Sequence, residues 1–128
     1  MVKIIVDSSI LIDHLRQKSE RFIRLAERQD QGRIKILIPF IVVTELFVGR
    51  SVSNKKTEKL IDELLDKVEL VGLTRKSAKL AGRLIQDYPQ LNDPYDVLIA
   101  AIALEQKAMV ATLNMKHFKI IKDLKLDE

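Results

Sequence analysis

Short β-branched apolar segments alternate with segments of helical spacing along the whole chain, and this alternation restricts the possible folds more than any other feature. Strands are predicted at Lys3–Val6, Ile34–Ile38, Val68–Leu73 and Met109–Leu113, and the tail Ile120–Leu126 could add one more. Strands that alternate with helices in this way form parallel sheets whose two faces the helices cover. We therefore expect an α/β fold with a parallel sheet.

The segments between the strands have the periodicity and the end signals of helices. Ser8 or Ser9 can cap the first of them. The other predicted helices are Glu20–Gln31, Phe40–Val48, Ser53–Lys67, Thr74 to Tyr88, and Asp93 to Lys107. The β-branched residues of Phe40–Val48 favour a strand, but its leucine and second phenylalanine and the Gly49 that follows favour a helix, which we predict.

The composition is that of an ordinary globular domain, and it excludes several kinds of site. With 128 residues, 47% hydrophobic and 31% charged, the chain has the size of one domain, expected to span residues 1–128. The absence of cysteine excludes disulfides, zinc–thiolate sites and cysteine nucleophiles. The same absence fits a reducing cytoplasm, where we expect the protein to act. No apolar run approaches the roughly 18 residues of a membrane span, so we expect a soluble protein with no membrane partner. The net charge of +4 fits a polyanionic partner, and equally a merely soluble protein.

Polar residues stand where two of the predicted strands end. Asp7 follows the first strand, and Thr112 and Asn114 lie at the end of the fourth. Ligands of open parallel sheets bind beyond the carboxyl ends of the strands. Asp7 could hold a cation there or cap the next helix, while the Thr112 hydroxyl and the Asn114 carbonyl oxygen could orient water or phosphate.

Glu45 is the residue that fits its surroundings least. Apart from Thr44, the neighbours of Glu45 in Phe40–Val48 are all apolar. An ionised carboxylate among apolar side chains is costly unless a cation or hydrogen bonds compensate it. A salt bridge to Lys or Arg would explain Glu45, and a bound metal ion would explain it better.

Two further carboxylates, Asp93 and Asp96, open the last predicted long helix, which is apolar all round from Val97 to Leu104 and therefore expected to be central and buried. Both would interact well with the positive end of the helix dipole. Residues three apart share a helix face, however, and two acids on one face repel unless a cation lies between them. We expect Asp93 to cap the helix and Asp96 to bind a metal.

Other kinds of site are missing from the sequence. There is no glycine-rich phosphate loop, no Rossmann fingerprint and no nucleophile elbow. The Asp7-Ser8-Ser9 turn lacks the second aspartate of phosphoaspartate-forming phosphatases. His117 could be a base, but it and His14 are more simply explained as ordinary surface histidines. The remaining carboxylates offer only oxygen ligands, which select Mg²⁺ or Mn²⁺ rather than zinc.

Four motifs, taken in order, resemble those of the PIN-domain family, and most closely its VapC-type toxins. They are Val6–Ile12, Val43–Leu46, Asp96–Ala103 and Ala111–Phe118, which span nearly all of the chain. The resemblance implies a three-layer α/β/α sandwich with a central parallel sheet. It also implies an Mg²⁺- or Mn²⁺-dependent endoribonuclease whose products carry 5′-phosphate and 3′-hydroxyl ends.

The resemblance also implies which residues form the site. Asp7, Glu45 and Asp96 match the first three acids of the family. Asn114 and His117 stand where many members carry a fourth, an aspartate, and this departure leaves a second metal ion in question. Asp93 is a possible substitute ligand.

By the same resemblance, the partners would be an RNA substrate, an antitoxin protein and a second copy of the chain in a homodimer. Lysines and arginines near the crevice could hold the RNA backbone; the candidates are Lys116, Lys119, Arg16 and Arg50. The Phe40–Val48 segment and the Phe22/Ile23 face are candidate protein contacts. Two alternatives stay open: a catalytically weak PIN-like module that binds RNA or protein, and a small-molecule phosphohydrolase.

Overall fold

The computed structural model describes residues 1–49 and 54–128. Within these ranges the strands are β1 (Val2–Val6), β2 (Ile34–Pro39), β3 (Glu69–Val71) and β4 (Met109–Ala111). The helices are α1 (Ser8–Leu15), α2 (Arg21–Asp30), α3 (Phe40–Val48), α4 (Lys55–Leu65), α5 (Arg75–Asp87), α6 (Pro94–Gln106) and α7 (Met115–Lys119). No helix within these ranges has the length and apolar character needed to cross a membrane.

The four strands form one parallel sheet in the order β3-β2-β1-β4, flanked by helices. This confirms the three-layer α/β/α sandwich. The chain moves outward from β1 to β2 to β3 and then returns across β1 to add β4 on its other side. The strand order therefore reverses between β1 and β4, and such a reversal opens a crevice at the carboxyl ends of the two strands.

Burial explains why these segments take these forms. Ile4, Ile5 and Val6 of β1 are fully buried, as expected for a strand covered on both faces. Helix α6 is buried on nearly all sides from Asp96 to Ala103, which confirms its predicted central position. The segment Phe40–Val48 is a helix, also as predicted, and it follows β2 without a loop, since Pro39 is the last residue of the strand and also occupies the N-cap position of the helix.

Some predicted boundaries were wrong. Neither Ser8 nor Ser9 caps α1, because the helix already begins at Ser8 and the Asp7 side chain accepts the hydrogen bond from the Ser8 backbone N–H. Strand β3 is shorter than Val68–Leu73, since it lies at the edge of the sheet and pairs only with β2. Strand β4 ends at Ala111 rather than Leu113, because side chains, and not a neighbouring strand, bind the next backbone groups.

The tail and the α7 segment also differ from expectation. The tail forms no strand over Ile120–Leu126; a single parallel bridge joins Leu126 to Val110. Helix α7 was not predicted, and it buries Phe118 completely. The start predicted for the fourth helix, Ser53, lies outside the described residues, within which α4 begins after its cap Asn54.

Candidate active site

Asp7 lies in the crevice between β1 and β4 and is held there by hydrogen bonds. Its carboxylate is only 2% exposed. Oδ1 accepts from the Ser8 backbone N–H at 2.8 Å. Oδ2 accepts from Thr112 Oγ1 at 2.7 Å and from Ser9 Oγ at 3.0 Å. The pairing of Val6 with Ala111 in the sheet brings the residues that follow them together, and this is why Asp7 meets Thr112.

Thr112 links the end of β4 to Asp7. It is 1% exposed, and its hydroxyl oxygen accepts from the Asn114 backbone N–H at 2.9 Å while donating to Asp7. Asn114 itself is exposed at the start of α7, and its side chain makes no capping hydrogen bond. The structure thus brings Thr112 into contact with Asp7, whereas Asn114 contributes its backbone.

Glu45 projects from α3 with one buried oxygen, Oε1, that has no hydrogen-bond partner. Its pKa is raised to about 7, first by burial and then by the negative charge of Asp7, with smaller contributions from Asp93 and Asp96. The nearby Ser8 hydroxyl partly offsets the rise in this pKa. Of the basic residues in the described ranges, none forms an ion pair with Glu45.

Asp96 lies in the first turn of α6 and is 6% exposed. Its Oδ2 is 2.8 Å from Nδ1 of His117, on α7. Burial raises the pKa of Asp96, the hydrogen bond from His117 lowers it, and the charges of Asp93 and Asp7 raise it. Asp93 caps α6, as predicted, since its Oδ1 accepts from the Tyr95 backbone N–H at 2.9 Å.

The negative charges of Asp7, Asp93 and Asp96 thus raise the pKa of Glu45, and those of Asp93 and Asp7 raise the pKa of Asp96, as expected for carboxylates in one region of the molecule. Within residues 1–49 and 54–128, no three His, Asp or Glu side chains are arranged so that all could ligate one ion. Mg²⁺ commonly binds through one or two carboxylates and keeps several waters. The oxygen-only donors and the unpaired Glu45 Oε1 therefore fit a partly hydrated, hard divalent cation.

Sequence reasoning missed two residues of this site. Ser9 was considered only as a helix cap, but its hydroxyl donates to Asp7 and accepts from the Leu113 backbone N–H at 3.0 Å. His117 was considered as a possible base and as a replacement for the fourth acid, although a surface histidine was the simpler explanation; its contact with Asp96 was not foreseen. The available signal was the place of His117 in the last motif. His14 instead packs against the ring of Phe22, with ring centroids 5.1 Å apart.

Comparison with known proteins gives the same fold and family. The sequence model of the PIN domain matches residues 4–123. Ribonuclease VapC19 of Mycobacterium tuberculosis is 30% identical over 123 residues, which cover 94% of this chain and 95% of that protein. Ribonuclease VapC2 of Rickettsia felis is 33% identical over 97 residues, 72% of each chain.

Solved structures agree. The crystal structure of VapBC2 from Rickettsia felis bound to a promoter DNA fragment matches with a TM-score of 0.86 and 25% identity over 98% of each chain. DNA-bound VapBC from Salmonella typhimurium matches in fold with a TM-score of 0.83 and 22% identity, over 99% of this chain and 98% of that one. The chain therefore belongs to the PIN-domain family, in the group that contains the VapC ribonucleases.

Proposed function

We propose that this protein is a divalent-metal-dependent endoribonuclease that hydrolyses RNA phosphodiester bonds and acts as the toxin of a type II toxin–antitoxin pair. The observation that carries the proposal is that negative charge from Asp7, at the carboxyl end of β1, and from Asp93 and Asp96, at the start of α6, acts on Glu45, one of whose oxygens is buried and unpaired. Relatives named as VapC ribonucleases support the reaction. We take residues 1–128 as one catalytic domain that acts in the cytoplasm.

In this proposal Mg²⁺ or Mn²⁺ is held by Asp7, Glu45 and Asp96, directly or through water. A bound ion of this kind stabilises charge on the phosphate and lowers the pKa of water. Asp93 caps α6 and adds negative charge to the site. We therefore propose it as a weaker ligand than Asp7, Glu45 and Asp96. The raised pKa values of Glu45 and Asp96 would fall on cation binding, because a cation favours the ionised form of both.

The chain's own residues supply orientation. The hydrogen bonds from Ser8, Ser9 and Thr112 to Asp7 fix the direction of its carboxylate, and His117 does the same for Asp96. We propose that Thr112, through its bond to Asp7, and Asn114, exposed at the crevice, align the phosphate or the attacking water. This arrangement would hold reacting groups in place before the substrate arrives, and such preorganisation is a large part of catalysis.

RNA cleavage in Mn²⁺ tests the proposal directly. Replacing Asp7 or Asp96 with Asn should abolish cleavage. The variants should still show the circular dichroism spectrum and the melting temperature of a folded protein. The matched control is Asp62→Asn, at an exposed position of α4, which should cleave like the wild type. A chelator should stop the wild-type reaction.

Other outcomes would identify the alternatives. Full activity of Asp7→Asn would refute the assignment of the site. RNA binding without metal-dependent cleavage would indicate a binding module. Cleavage of a phosphomonoester but not of RNA would indicate a small-molecule phosphohydrolase.

We further propose an antitoxin protein as partner, since the structural neighbours are VapBC complexes. A groove of about 1230 Å³ runs between α2 and α4, lined by apolar side chains that include Ile23, Leu60 and Leu64. An apolar segment of the antitoxin would fit there, where Phe22 is also part of the lining. Homodimer formation stays a prediction; Phe47 and Val48 of α3 are exposed and available for it.

A further inference from the structure

Arg21, the first residue of α2, joins two segments that are far from it in sequence. Its Nη1 donates to the backbone carbonyl oxygen of Thr112 at 3.2 Å. Its Nη2 donates to the backbone carbonyl oxygen of Asp127 at 3.0 Å. The side chain is partly buried between these two segments. Because the Arg21 guanidinium binds two internal acceptors, it is not free to bind RNA.

The first acceptor belongs to a residue of the candidate site. Thr112 lies just beyond β4, so its carbonyl oxygen is outside the strand pairing of the sheet, and Arg21 provides a donor for it. The hydroxyl of the same residue donates to Asp7 at 2.7 Å. The backbone that Arg21 holds is therefore the backbone that aims the Thr112 hydroxyl at the carboxylate.

The second acceptor belongs to a segment that is itself fastened. The Asp127 backbone N–H donates to the Val110 carbonyl oxygen, and the Val110 N–H donates to the Lys125 carbonyl oxygen, both at 2.9 Å. Nη1 and Nη2 of Arg28 both donate to the Asp127 carboxylate, at 3.1–3.2 Å. The segment around Asp127, to which Arg21 is bound, is thus itself held in place by hydrogen bonds.

We propose that Arg21 is a positioning residue of the active site, acting on Asp7 through Thr112; this inference rests on the proposed nuclease function. The planar guanidinium spans two carbonyl oxygens at fixed angles, which a lysine ammonium on a flexible stem cannot reproduce. Loss of the clamp would let the Thr112 backbone shift, and displacements of about 1 Å can cost on the order of 100-fold in rate.

The test compares Arg21→Ala with Arg24→Ala on the same helix. The Arg24 side chain is 69% exposed and forms an ion pair with Glu20 of the preceding turn, so its replacement should leave RNA cleavage unchanged. We expect Arg21→Ala to lower kcat by about 10-fold or more with KM within about twofold, because ground-state RNA binding is not affected. Arg21→Lys keeps the charge and one donor direction, and it should fall between wild type and alanine. If the alanine variant does not fold, the lysine variant provides the test.

A double-mutant cycle with Thr112→Val separates positioning from simple stabilisation. If Arg21 acts through the Thr112 hydroxyl, Arg21→Ala should change kcat less than about twofold in the Thr112→Val background. Equal losses in both backgrounds, or an Arg21→Lys variant with wild-type kcat, would overturn the inference while leaving the nuclease assignment intact. Absence of RNA cleavage by the wild type would instead overturn the nuclease assignment and, with it, this inference.

Discussion

At the scale of single residues, Glu45 has the most unusual electrostatic environment of the site. Its carboxyl group is partly buried, faces the charge of Asp7, and leaves Oε1 without a hydrogen bond. In the folded chain without a cation the pKa of this group is about 7, against 4.5 for the same group in water. Folding therefore favours the protonated form of Glu45, and ionisation of this carboxyl group lowers the stability of the folded state.

The resulting pH dependence has a definite sign. Because the folded-state pKa of Glu45 is raised, the stability linked to its protonation is complete below about pH 4.5 and is lost as the pH rises to about 7. The amide of Glu45→Gln cannot lose a proton. With a chelator present, the melting temperature of this variant minus that of the wild type should therefore increase between these two pH values and remain constant at higher pH.

The control for this prediction is Glu63→Gln, at an exposed position of α4. The difference between its melting temperature and that of the wild type should not change across the same pH range. A constant difference for Glu45→Gln as well would contradict the raised pKa. Mn²⁺ should reduce the advantage of Glu45→Gln, because a bound cation stabilises only the ionised wild-type side chain.

The residues that sequence could identify were those whose type conflicted with their local pattern. Glu45 was an acid in an apolar helix, and Asp7 an acid at the end of a buried strand. Ser9 and His117 gave no such conflict, since a serine after a strand and a histidine at the surface are both ordinary. Their roles arise from hydrogen bonds to Asp7 and Asp96, and the bond between His117 and Asp96 spans 21 residues of sequence.

At the scale of elements, the beginning of α6 combines a structural and an electrostatic role. Asp93 caps the helix through its bond to the Tyr95 N–H, and its charge raises the pKa of both Glu45 and Asp96. The two roles can be separated, because asparagine caps helices about as well as aspartate but carries no charge.

Asp93→Ala should therefore lower the free energy of unfolding by about 1 kcal/mol, and Asp93→Asn by much less, in urea denaturation with a chelator present. Asn54→Ala, which removes the side-chain cap of α4, provides the matched comparison and should show a similar loss. If Asp93 also binds the ion, Asp93→Asn would weaken Mn²⁺ binding as strongly as Asp96→Asn does. Wild-type stability of Asp93→Ala would show that the cap contributes nothing.

Element types were more predictable than element ends. The Leu46–Phe47 continuation and the Gly49 stop of the Phe40–Val48 segment, and the all-round apolar character of α6, are local properties, and both helix predictions were confirmed. The end of β4 is not local. It depends on Arg21 and Ser9, which bind the backbone of Thr112 and Leu113 from about 90 and 100 residues away.

At the scale of the whole molecule, charge and topology determine how RNA could reach the site. The chain has a net charge of +4, and α7 places two exposed lysines, Lys116 and Lys119, close to His117. Each phosphate contact made by a lysine releases counterions, so RNA affinity should fall as salt rises.

Lys116→Ala and Lys119→Ala should each weaken RNA binding a few-fold and reduce the slope of log K against log[salt] by about 1. Binding is measured by fluorescence anisotropy in a chelator, so that no cleavage takes place. Lys79→Ala, at an exposed position of α5, is the matched control and should leave the slope unchanged. An unchanged slope for both α7 variants would place the RNA elsewhere. Of the other candidates, Arg16 is exposed beyond α1, and Arg50 lies outside the described residues.

The sequence predicted a parallel sheet but did not order its strands. Alternation of strands and helices is compatible with several orders, and only packing between distant segments selects β3-β2-β1-β4. The fold class could therefore be predicted, whereas the crevice between β1 and β4 could only be seen in the structure.

The return of the chain to β1 has a consequence during protein synthesis. Asp7 and Thr112 are 105 residues apart, so their contact cannot form while the ribosome is still producing the middle of the chain. At roughly 5–20 residues per second, the interval between making the two is on the order of ten seconds. Throughout that time the nascent polypeptide has the first acid but not the strand that orients it. The contact between Asp7 and Thr112 is therefore completed only after β4 has been made, late in the synthesis of the chain.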